Sequence, residues 1–229
     1  MSLSAADPAP RPAAAPVRQL SLFGAEAADP AVGDLAGLLA GPGRITRMGG
    51  TARISVPVAD AWRVHVLVAE LARRALPAAW EPGYTVRTAY TSVLTPLAAA
   101  WLRAGVQTPP ARLHLDGRRL RLWVAAAGRP DEGGYLLGLD PGAPHSWPLV
   151  GAALAAAGLP ATLTAPAAPA ALTAPTEPPA ESGPPVAFAP LTAPAAPAYR
   201  ISGRRRLARL AELTGEAPPA VPVGIWPGN

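Results

Sequence analysis

Few side chains in this chain are equipped for bond-making chemistry, and those that are favour binding. All twenty basic residues are arginine, and the formal charge is +5. A guanidinium forks onto phosphate oxygens, although a coding bias that enriches alanine and proline explains arginine over lysine equally well. Cysteine is absent, which removes disulfides, zinc ribbons and thiol nucleophiles. His65 stands on an expected helix with no second ligand near it in sequence, so no metal role follows, and no cofactor is expected.

The 31 prolines concentrate in 1–30, 165–197 and 217–229. Those stretches hold Arg11 and Arg18 against Asp7, Glu26, Asp29, Glu177 and Glu181, a net of −3, which leaves +8 for the remainder. A basic core with acidic flanks points to an anionic partner, nucleic acid first. The remainder, roughly 155 residues, is enough for one buried core. No apolar run reaches membrane-spanning length and no signal peptide opens the chain, so a cytoplasmic, nucleoid-associated monomer is expected.

Residues 1–30 read as a disordered leader, too poor in large apolar residues to offset ordering entropy. Within it, Gln19-Leu20-Ser21-Leu22-Phe23 places three large apolar residues in four positions. It suits either a strand folded back on the core or a linear motif captured in an apolar groove. The run resembles the Gln-Leu-x-Leu-Phe pentapeptide by which bacterial polymerases and repair proteins bind the DNA sliding clamp (beta subunit). That resemblance implies clamp contacts from Gln19, Leu20, Leu22 and Phe23.

The elements that must position the arginines follow an order that repeats. Leu35–Ala40 reads as an apolar helix with Asp34 as a plausible cap and Gly41-Pro42-Gly43 as its stop. Arg44–Met48 and Thr51–Val56 form a hairpin across Gly49-Gly50, with Ala52, Ile54 and Val56 on one face. A helix from about Asp60 to Pro77, strands at Trp80 and Tyr84–Tyr90, and a helix Ser92–Arg103 complete the first half. Residues 106–116 connect the halves. Leu120–Ala127 then matches the opening helix and ends at Gly128. Arg129–Asp131 and Tyr135–Leu139 pair across Gly133-Gly134. Next come a helix Ser146–Gly158 with Ser146 as a plausible cap, a strand Ala161–Thr164, a strand Tyr199–Ser202 and a helix Gly203–Leu213. The insertion 165–197 occupies a hairpin tip, where length costs little free energy, and 217–229 reads as a flexible tail. The domain runs over 31–216, with repeat 1 at about 31–105 and repeat 2 at about 112–216.

Two α-β-β-α-β-β-α halves, each led by a small-residue helix ending in glycine, resemble the LAGLIDADG homing-endonuclease fold. Leu35, Ala36, Gly37, Leu38 and Gly43 match its nine-residue motif. Leu120–Gly128 matches at its first leucine, its apolar middle and its final glycine. The likeness is greatest to the WhiA-type actinobacterial regulators. It implies an α+β fold with two motif helices packed side by side and a β-saddle on DNA. In nucleases of this family the next-to-last motif position is an acid that holds a divalent cation. Pro42 and Ala127 stand there in this chain, and Ala40 and Ala125 replace the preceding acid. Asp131 and Glu132 are the nearest acids, with no partner in the first hairpin. No catalytic residue is therefore expected.

By strand alternation Arg53, Arg87, Arg129 and Arg200 face away from the helices, as does either Arg44 or Arg47. These are the candidates for phosphate or base contact, or else ordinary solvated arginines. Arg204 and Arg205, at the start of the last helix, can hold a phosphate or simply flank an apolar stripe. The reading that follows is a non-catalytic double-stranded-DNA-binding protein docked on the sliding clamp in replication or repair. The alternatives are a WhiA-like transcriptional regulator and a residual endonuclease. WhiA-type proteins carry a helix-turn-helix domain after the saddle, whereas a short Pro/Trp stretch follows Pro218 here.

Overall fold

Leu35, Leu38 and Leu39 share one side of a short helix, and Ala36, Gly37 and Ala40 fill the rest without bulk. The computed structural model describes residues 29–164 and 196–228. In it, a 3-10 turn over Val32–Leu35 runs into α1 (Ala36–Ala40), all five of whose residues are buried. Pro42, lacking an N–H, ends any continuation. Asp34 does not cap the helix from outside, as expected. It lies inside the 3-10 turn and accepts a hydrogen bond from the Ala31 backbone N–H at 2.9 Å, so the cap falls three residues earlier. Gln19–Phe23 and most of the 165–197 insertion lie outside the described residues.

The first hairpin is β1 (Arg44–Met48) and β2 (Thr51–Pro57), turning at Gly49 with φ +57°. Ala52, Ile54 and Val56 are essentially inaccessible, as their alternation requires. Then come α2 (Ala61–Ala72), β3 (Ala78–Glu81), β4 (Thr85–Thr88) and α3 (Thr95–Trp101). The third helix stops two residues short of Arg103. Ala104 and Gly105 both adopt positive φ, and this turn pairs β5 (Leu102–Arg103) with β6 (Val106–Gln107) where only a connector was expected.

The second half opens with α4 (Gly117–Ala127), which begins three residues before Leu120 because Asp116 accepts a hydrogen bond from the Arg119 N–H at 3.0 Å. It continues through β7 (Gly128–Asp131), β8 (Gly134–Gly138), α5 (Trp147–Ala156), β9 (Thr162–Thr164), β10 (Ala198–Ser202) and α6 (Arg204–Thr214). Ser146 does not cap α5, and its buried hydroxyl has no partner among the described residues.

The two four-stranded antiparallel sheets have the same internal order, β1-β2-β4-β3 and β7-β8-β10-β9. Both halves share one core, with Leu35, Leu38, Leu120, Trp123 and Leu154 fully enclosed. Residues 217–228 are not a flexible tail. Trp226 is 2% exposed, its indole N–H reaches the Gly215 carbonyl at 2.9 Å, and Tyr135 donates to the Ile225 carbonyl at 3.0 Å. A large indole with one satisfied polar atom is reason enough for the segment to dock. Among the described residues, no helix is long and apolar enough to cross a membrane.

Candidate nucleic-acid interface

The two motif helices meet at backbone distance. A methyl group on Gly37 would sit 1.8 Å from the Arg119 carbonyl oxygen, so only glycine permits the contact between α1 and α4. Gly41 faces the Trp123 indole just as closely, and that indole donates to the Gly138 carbonyl at 2.8 Å. The seam thus also fixes the start of the second sheet's open edge.

Where each motif helix ends, its free carbonyls need donors. At α1 the Gln107 amide supplies them. It donates to the Gly43 carbonyl at 2.9 Å and the Leu39 carbonyl at 3.4 Å, while its oxygen accepts from the Ile45 N–H. At α4 the donor is Arg63, only 5% exposed, whose guanidinium reaches the carbonyls of Val124, Ala125 and Gly128 at 3.2, 3.0 and 2.5 Å. Its Nε is held by Asp60 at 2.9 Å. A cation at a helix C-terminus also complements the macrodipole.

Pro42 and Ala127 both line a groove of about 520 Å³ that also includes Asp60, Trp62, Arg63, Arg129 and Ile225. A hard divalent cation needs oxygen ligands. Here the motif-end positions offer a proline ring and a methyl group, the nearby carbonyls are engaged by Gln107 and Arg63, and Asp60 is paired with Arg63. These residues do not fit a bound cation. No cluster of three or more His, Asp or Glu side chains among the described residues is arranged to hold one.

Strand register sorts the arginines. Arg44 lies opposite Ser55, and Ser55 opposite Arg87. Arg129 lies opposite Leu136, and Leu136 opposite Arg200. Directly opposed residues share a face, so each sheet carries an Arg-x-Arg row on the face away from the helices. Arg53, two residues from Ser55, is on the same face. Arg47 is not. It opposes the buried Ala52, and its Nε donates to the Gly49 carbonyl at 3.2 Å. Register thus selects Arg44 over Arg47.

Most of these arginines are already paired. Arg44 meets Asp140 through two 2.9 Å hydrogen bonds, and the bond and charge together raise its pKa above the ordinary value against a small effect of burial. Arg44 remains largely exposed, so this partner can yield to another anion. Arg87 pairs with Glu81 and donates to Ser55, and Arg200 pairs with Asp131 at 2.6 Å. Arg129 has no ion-pair partner among the described residues. Neither does Arg53, whose guanidinium lies 4.6 Å from the centre of the Tyr90 ring. Arg204 and Arg205 are exposed at the start of α6, which packs on α4, so they belong to the helical layer and not to the strand rows.

A second polar cluster ties the halves together beneath the seam. Arg74, buried, pairs with Asp34 at 2.9 Å and Glu70 at 2.8 Å, and Arg121 pairs with the same Glu70 at 2.9 Å. Burial alone would raise the Glu70 pKa, but hydrogen bonds from Arg74 and Arg121, with their charges, bring it below the ordinary carboxylate value. Sequence reasoning missed Arg63, Gln107 and this cluster. A charged residue on the apolar side of α2 was the available signal, because an Arg at a core position must have partners.

No family model matches the chain, and no curated protein matches it. Among solved structures, the chain is similar to the homing endonuclease I-WcaI bound to its DNA recognition sequence, with a TM-score of 0.50 at 11% identity. The match covers 79% of this chain and 78% of that one. The fold is a homing-endonuclease-like α+β fold with paired antiparallel sheets.

Proposed function

We propose that this chain is a non-catalytic double-stranded-DNA-binding protein that acts in replication or repair, tethered to the sliding clamp through Gln19, Leu20, Leu22 and Phe23. The observation that carries the DNA half is the matched pair of arginine rows, Arg44-Ser55-Arg87 and Arg129-Leu136-Arg200, on the open faces of the two sheets. I-WcaI, which shares the fold, is bound to its DNA recognition sequence, and that supports duplex DNA as the partner here. Phosphate neutralisation by these arginines makes the binding salt-dependent.

Pro42 and Ala127, with Arg63 seated on the end of α4, support binding without metal-assisted cleavage. The clamp half rests on the pentapeptide alone. A nucleoid-associated location and a monomeric state accord with both halves.

Each half has its own test. A peptide spanning Gln19–Phe23 should bind purified clamp at micromolar strength, and Leu22→Ala with Phe23→Ala should abolish it. No interaction between intact protein and clamp removes the tether. For DNA, electrophoretic shifts should show duplex binding that weakens when Arg53, Arg87 and Arg200 are changed to alanine. Unchanged affinity removes the saddle.

A further inference from the structure

The open faces of the two sheets share a frame but not an equipment. β1 and β2 run five and seven residues, against four and five for β7 and β8. At strand rise, two extra residues lengthen the first hairpin by about 7 Å. Its open face carries Thr46, Met48, Thr51, Arg53 and Ser55 in alternation. On β8 the same face carries Gly134, Leu136 and Gly138, none with a side-chain donor or acceptor. The turns differ in charge as well. Gly49-Gly50 closes the first hairpin, whereas Asp131 and Glu132 bring two carboxylates to the tip of the second. Those carboxylates repel phosphates on either side of a groove.

Arg53 is the residue that this asymmetry singles out. The residue two positions before the row residue is Arg53 on β2 and Gly134 on β8, so it has no counterpart in the second repeat. The Tyr90 ring holds its guanidinium, its Nε is buried without a hydrogen-bond partner, and no carboxylate among the described residues competes for it. A planar fork held in place by an aromatic ring is prepared for two-point recognition. In the major groove, which admits a two-stranded ribbon, the matching partner of such a fork is the O6/N7 edge of guanine.

Resting on the DNA-binding reading, we propose that sequence readout is one-sided. The β1–β2 hairpin reads base edges, with Arg53 as its specificity-determining residue for a guanine. The second sheet contributes phosphate contacts from Arg129 and Arg200 and no base recognition.

Selection of bound duplexes from a random-sequence library by the full chain tests this. The expected result is a site with information in one half only, including a guanine. Arg53→Ala should lower affinity for that site about 10- to 100-fold and erase the guanine preference. Arg53→Lys should erase the preference too, while leaving the salt dependence intact, which separates a lost fork from a lost fold. A two-fold-symmetric site, binding without sequence preference, or a preference that survives Arg53→Ala overturns the one-sided readout and leaves DNA binding standing. Failure of the folded, unmodified chain to bind any duplex overturns both.

Discussion

The ends of α1 and α4 occupy matching places in the two repeats and are finished by different chemistry. α1 is five residues long and receives a neutral amide from Gln107. α4 is eleven residues long and receives a buried cation from Arg63. Strand order and core are the same in both repeats, so the backbone arrangement does not require the same polar solution. What both solutions share is that they occupy the carbonyls at the foot of the seam. The shared frame is maintained by packing, and the residues set into it are free to diverge.

The largest effect should come from breaking the seam itself. Gly37→Ala places a methyl against the Arg119 carbonyl and should cost about 3 kcal/mol or more, read as a lowered urea midpoint. Stability close to that of the unmodified chain would mean that the helices do not approach so closely.

Next come the helix ends. Arg63→Met strips donors from three buried carbonyls and leaves Asp60 unpaired, and should cost about 2–3 kcal/mol. Gln107→Leu strips fewer and should cost about 1–2 kcal/mol. Equal losses in the two variants would contradict the asymmetry between the repeats.

A smaller, pH-dependent effect belongs to Glu70. Its folded pKa lies below the ordinary value, so its contribution is present above the unfolded-state pKa and is lost as pH falls through the folded one. Thermal unfolding from pH 7 into the acid range should therefore show a loss of stability. Glu70→Gln should be less stable at pH 7, with Arg74 and Arg121 short of a partner, and should show a shallower acid slope. A slope equal to that of the unmodified chain would remove Glu70 from the account.

Much of this frame was legible in the sequence, for identifiable reasons. The first hairpin could be read because Gly49-Gly50 marks its turn and Ala52, Ile54 and Val56 alternate without exception. The small residues of Leu35–Gly43 announced a close helix contact, although only the coordinates show that Gly37 meets the Arg119 backbone. Arg44 and Arg47 could not be separated without register, because the strand alone does not say which face is covered. Arg63, Gln107 and the Glu70 cluster were hidden for a related reason. Their partners lie between about 40 and 70 residues away, a distance over which local pattern is silent. The tail misled through composition, since proline and glycine masked the anchoring role of Trp226.

The central claim is that the open faces of the two sheets hold duplex DNA through their arginines. The measurement that tests it most directly is duplex affinity against salt concentration, for the unmodified chain and for the chain with Arg53, Arg87 and Arg200 changed to alanine. Affinity should fall linearly on a log–log plot, and the triple change should reduce the slope by about 3, close to one per lost phosphate contact. A slope that the triple change leaves unaltered would place the DNA elsewhere on the protein, and the absence of any salt-dependent binding would contradict the claim outright.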